Sequence, residues 1–161
     1  MTKAEKALRA QLAEFIDWEK AHVGFDAAVK GLPPTLRGAV PNGFVHSAWQ
    51  LVEHMRLAQH DILEFCRNPR YEEKLKWPED YWPKMSAPRN GAAWTRALAE
   101  FRRDRTAMQR LATNARIDLL AKIPHGTGQT YLRELLLVTD HTAHHMGQLI
   151  DVRRALGAWK K

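Results

Sequence analysis

A chain of 161 residues with 45% hydrophobic content suits a single domain over residues 1–161 and supplies enough apolar side chain for one continuous core. The lone cysteine, Cys66, excludes an internal disulfide, no basic start leads into an apolar signal core, and the longest aliphatic run, Leu135 to Val138, is far short of the roughly 20 residues of a spanning helix; a cytoplasmic protein without a membrane partner is expected. Lys and Arg exceed Asp and Glu by 25 to 18, for a formal charge of +7, yet the basic residues are dispersed, with small clusters at Arg102, Arg103 and Arg105 and at Arg153, Arg154, Lys160 and Lys161, so solvated helix faces are expected in preference to a nucleic-acid surface.

Helical periodicity predicts a first helix from about Lys3 to Lys30, with Leu8, Leu12 and Phe15 at core spacing, stopped by the Pro33-Pro34 pair. The second helix begins at Ser47, whose hydroxyl and Gln50 form a capping box, and ends near Asn68. Its core stripe is Leu51, His54, Ala58, Ile62 and Phe65, which places His54 among apolar residues. Residues 69–90 form a long connection rich in Pro, Trp and Tyr, whose aromatics need burial against the bundle. A third helix is expected from about Gly91 to Leu120, with Trp94, Leu98, Phe101, Met108 and Leu111 facing inward. The last runs from about Thr130 to Leu156 and stops at Gly157. No segment shows sustained strand alternation, and the fold class is all-α: a four-helix bundle with long connections between helices 1 and 2 and between helices 2 and 3.

The last helix carries the chemistry. Leu135, Val138, Thr142, His145, Leu149, Val152 and Leu156 recur at alternating three- and four-residue steps, a seam that puts His145 inside. His141, four residues earlier, lies roughly 40° around and about 6 Å along the axis, so both rings can reach one ion. His144 points elsewhere. Interior imidazoles require partners, because an unpaired buried polar group costs about 1–3 kcal/mol. His54 is the natural third nitrogen, and three His with open positions suit divalent Zn, Ni or Fe. Glu19, His22 and Asp26 of the first helix and Gln148 of the last are candidates for orienting the imidazoles or lining a pocket, and His125 for the pocket mouth. His46 and His60 read as surface residues, and Cys66 as a quiet, partly buried thiol.

Two blocks carry a family resemblance: SAWQLVEH at residues 47–54, and HTAHHMGQ at residues 141–148 followed by RRALG at 153–157. They resemble the ligand motifs of the DinB-like (YfiT-like) metal-binding four-helix bundles. The resemblance implies His54, His141 and His145 as ligands, with His144 at a position where relatives often carry an aromatic. It also implies a homodimer and a divalent-metal-dependent activity, such as transfer or isomerisation with a low-molecular-weight thiol like bacillithiol or mycothiol. On that reading the nucleophile is a metal-bound thiolate or water, no protein residue is assigned as catalytic, and the basic surplus helps attract an acidic thiol. The alternative is a non-enzymatic metal-binding stress-response protein whose ion stabilises the bundle.

Overall fold

The computed structural model describes residues 1–17 and 21–159. Among these the chain forms five helices and no strand: α1 (Lys3–Ile16), α2 (Phe25–Val29), α3 (Ala48–Arg67), α4 (Gly91–Thr113) and α5 (Tyr131–Ala155). The four long helices make the bundle, with α3 packed along α5 and α4, and α1 against α4 and α5. Among the described residues no helix is long and apolar enough to cross a membrane.

The helix starts follow local chemistry. Thr2, Ser47, Asn90 and Thr130 each offer a side-chain oxygen to the amide three residues on. At Ser47 the full capping box forms, with Gln50 Oε1 accepting from the Ser47 amide at 3.1 Å.

Two helix ends differ from the periodicity. The first helix, expected to reach Lys30, stops at Ile16, and a separate five-residue helix, α2, follows after Gly24. Its inward face also differs: Arg9, Leu12 and Ile16 are buried, whereas Leu8 and Phe15 are 45% and 40% exposed. The cause is Arg9, whose guanidinium donates to the carbonyls of Ala112, Asn114 and Ile117 and pairs with Glu5. Those carbonyls lie in and just beyond the last turn of α4, where helix geometry leaves acceptors unmatched. The third long helix ends at Thr113 and not at Leu120 because Asn114 and Asp118 turn their side chains onto the amides of Arg116 and Leu120, local bonds that compete with the helical ladder.

The core divides into two apolar clusters. One gathers Leu51, Val52 and Met55 of α3, Trp94 and Phe101 of α4, and Met146 and Leu149 of α5, with Phe25 stacked on Phe101 at 3.8 Å. The other joins Leu12, Leu63, Met108, Leu135 and Val138 with Leu119 and Ile123 of the α4–α5 connection. The stretches of α3 and α5 that pass between the clusters carry Gln59, Thr139, His141 and His145, and His54 lies on α3 between Val52 and Met55 of the first cluster. Residues 69–90 cross this level, with a 3-10 turn at Glu79–Tyr81 packed on α3. The segment is fastened at its far end by Ser47 Oγ donating to the Ser86 carbonyl and by Gln50 Nε2 donating to the Pro83 carbonyl at 3.1 Å.

Candidate metal centre

His54 comes from the middle of α3, and His141 and His145 from successive turns of α5. His54 is 1% exposed and His145 9% exposed, while His141 is half-buried. Their side-chain nitrogens meet: His54 Nε2 lies 3.1 Å from His145 Nε2 and 3.0 Å from His141 Nε2. One ligand atom from each ring lies within 4.8 Å of the others.

The outer nitrogens fix what the inner ones present. His54 Nδ1 donates to the Tyr81 carbonyl at 3.0 Å, and His145 Nδ1 donates to Gln148 Oε1 at 2.8 Å. Each ring in its neutral form has a single N–H, so both Nε2 atoms are bare lone pairs pointed at each other. Two such lone pairs at 3.1 Å repel unless a cation lies among them. Tetrahedral coordination with bonds of about 2.0–2.1 Å sets ligand nitrogens about 3.3 Å apart, close to the observed spacing. The donor set fits a divalent transition metal on both counts.

Burial holds the rings in the form a ligand needs. Desolvation, opposed by the Tyr81 carbonyl and reinforced by His145 and His46, pushes His54 down to about 4. Desolvation and the neighbouring rings push His141 down to about 3, and desolvation likewise lowers His145. Neutral imidazole is the species that binds metal.

Orientation is set by side chains around the rings. Trp82 stacks on His54 at 3.8 Å with 5° between planes, and His46 stacks on the opposite face of Trp82 at 3.7 Å. Gln148 donates through Nε2 to His144 Nε2 at 3.2 Å while accepting from His145, so its amide orientation is determined from both sides. His144 is exposed and serves this contact.

The remaining candidates lie as follows. His125 donates through Nε2 to the Phe65 carbonyl at 2.8 Å and packs edge-on to the Phe65 ring. Phe65 in turn lines a cleft of about 610 Å³ that has His141 and Trp77 among its walls. Asp26 pairs with Arg102 and Arg105, whose charges outweigh the opposing effect of burial and lower its pKa. His22 is exposed, with Nδ1 3.1 Å from the Val23 carbonyl. Glu19 lies outside the described residues. Cys66 is buried, and burial with the nearby Glu134 charge pushes its thiol up to about 12. The residues that sequence reasoning missed, Tyr81, Trp82 and His46, belong to loops. The only signal for Tyr81 and Trp82 was the density of aromatics in residues 69–90, and His46 had none.

No curated protein and no solved structure matches the chain significantly. The family model of the DinB superfamily matches residues 17–149, a stretch that contains both histidine blocks, all of α3 and α4 and most of α5, and the chain belongs to that superfamily.

Proposed function

We propose that this protein is a divalent-metal-dependent enzyme that activates a low-molecular-weight thiol, or water, for transfer to an electrophilic acceptor, with His54, His141 and His145 as the metal ligands. The observation that carries the reading is the pair of bare Nε2 lone pairs facing each other within bonding reach of one ion. A divalent ion held there supplies a Lewis acid that lowers the pKa of a thiol or water at neutral pH, and Zn, Ni and Fe all suit three imidazoles. The protein's own contribution is to hold the rings neutral by burial, to fix their planes through Trp82, Tyr81 and Gln148, and to admit substrate along the cleft beside His141.

The cleft favours catalysis over an ion that only staples α3 to α5, because a purely structural site has no use for a cavity at one of its ligands. Action as a homodimer belongs to the same reading, supported by the outward-facing Leu8 of α1 and Leu136 of α5, and a cytoplasmic setting is proposed with it. The test is elemental analysis of tag-free protein followed by a thiol panel with an electrophilic acceptor. About one ion per centre is expected in the wild type and none in His141→Ala. Equal metal retention by the variant removes the ligand assignment; no conjugation above the metal-free control with any thiol removes the transferase.

A further inference from the structure

The three imidazoles are not equally accessible. Trp82 covers one face of His54, the Tyr81 carbonyl takes its Nδ1, and His145 is enclosed by its neighbours. His141 alone of the three forms part of the wall of the 610 Å³ cleft. A substrate that reaches the centre by this route lies first against the cleft's other walls, so their chemistry selects it.

Those walls combine an apolar surface with negative charge. Ile62, Phe65 and Leu137 give the apolar part, and Trp77, 55% exposed, presents its ring within 6.1 Å of the His141 ring. The charged groups are Asp61, Glu73 and Glu134 against the single guanidinium of Arg133. Arg133 is paired with Glu134, whose side chain is 3% exposed, so the unpaired negative charge left to the cleft is that of Asp61 and Glu73. Asp61 accepts from the Tyr71 hydroxyl at 2.9 Å, which orients its carboxylate without neutralising it. The local sign is therefore opposite to the net +7 of the chain.

We infer that the ligand admitted to this centre carries a protonated amine beside an aromatic or apolar body, the ammonium held between the Asp61 and Glu73 carboxylates and the face of Trp77. An ammonium is attracted by both carboxylates and an indole face. A carboxylate-bearing ligand of the same size meets repulsion from two like charges, Asp61 and Glu73. The inference rests on the proposed function in one respect, that the cleft serves the three-histidine centre. Under it, the thiol or its acceptor is an amine.

The test uses two probes of equal length and opposite charge, phenethylamine and 3-phenylpropionate, titrated calorimetrically into the full chain as purified near neutral pH. The amine is expected to bind at least about tenfold more tightly. Asp61→Asn and Glu73→Gln, the latter in an exposed loop where folding is not at issue, should each reduce that preference. His141→Ala should lose the metal and keep the preference. Equal or tighter binding of the carboxylate, no binding of either probe below about 10 mM, or a preference untouched by both variants overturns the inference. Failure of the two readings is separable: metal retained by His141→Ala with the amine preference intact removes the centre and leaves the cleft, and the reverse pattern removes the amine and leaves the centre.

Discussion

Gln148 fixes the ring plane of His145 through a hydrogen bond to its outer nitrogen. Its amide receives the His145 Nδ1 proton and donates to His144, so substitution by Leu, of similar size but unable to accept, removes the orienting bond and leaves the ring. Loss of such a supporting bond typically weakens metal binding 10- to 100-fold. Gln148→Leu is expected to fall by about tenfold or more in competition with a chromophoric chelator, while His144→Ala, which removes only the outer contact, should change by less than about threefold. Cys66 gives a pH prediction. Its thiol is pushed up to about 12 in the fold, against about 8.5 for a free cysteine. A raised pKa means the native state holds the proton longer than the unfolded state, so this group's stabilisation is complete below about pH 8.5 and is lost as pH rises toward 12. Alkylation by iodoacetamide at about pH 9 should accordingly be slow in native protein and fast in urea, whereas rapid native labelling would mean an accessible thiolate. At this scale the sequence was most legible where helical spacing decides: His54 on an apolar stripe and His141 with His145 one turn apart. Tyr81 and Trp82 were not legible, because a backbone carbonyl and a stacked ring from a loop depend on where that loop docks, and no periodicity encodes docking.

At the scale of elements, α1 shows why an apolar pattern alone is an incomplete guide. Leu8-Leu12-Phe15 and Arg9-Leu12-Ile16 have equivalent helical spacings and share Leu12, so hydrophobicity favours the first while the fold uses the second. The rotation follows from unmatched carbonyls at the end of α4, which only a long multidentate donor can reach. Arg9→Met keeps the aliphatic stem but strands those acceptors, and hydrogen bonds to charged groups contribute about 1.5–3 kcal/mol each, so a loss of about 3 kcal/mol is expected in urea unfolding. Within the same helix, Leu12→Ala should cost about 2–4 kcal/mol, as buried leucines do, and Leu8→Ala within about 0.5 kcal/mol, as exposed positions do. A larger effect at Leu8 than at Leu12 would restore the face read from the periodicity. The start of α3, by contrast, was fully legible, because a capping box is local chemistry within four residues and needs no tertiary partner.

For the whole molecule, the distribution of polarity says more than its sum. The net charge of +7 does not gather into a surface: Arg102 and Arg105 are taken up by Asp26 and Asp17, Arg103 by Asp104, and Arg153 by backbone carbonyls. The interior polar groups, in contrast, do gather. Between the two apolar clusters lies a waist in which Gln59 donates to the Phe101 carbonyl at 2.8 Å, His60 pairs with the buried Asp104 at 2.8 Å, and the three imidazoles meet. The bonds of Gln59 and Asp104 are complete within the protein, whereas the facing Nε2 atoms of His54 and His145 cannot donate to each other, and the single N–H of His141, whose Nε2 is 3.0 Å from His54, can satisfy one of them alone. A cation bound at this point is therefore expected to stabilise the waist. A ligand that binds only the native state adds about 2.7 kcal/mol at a hundredfold excess over its dissociation constant. Chelation should lower the thermal midpoint, reversibly on return of the ion. The double substitution His54→Leu with His145→Leu replaces the facing lone pairs by apolar side chains of comparable bulk but strands the Tyr81 carbonyl and the Gln148 amide oxygen that the two Nδ1 atoms reach. That variant should show no response to chelator. A double variant that still loses stability on chelation would place the ion elsewhere in the chain.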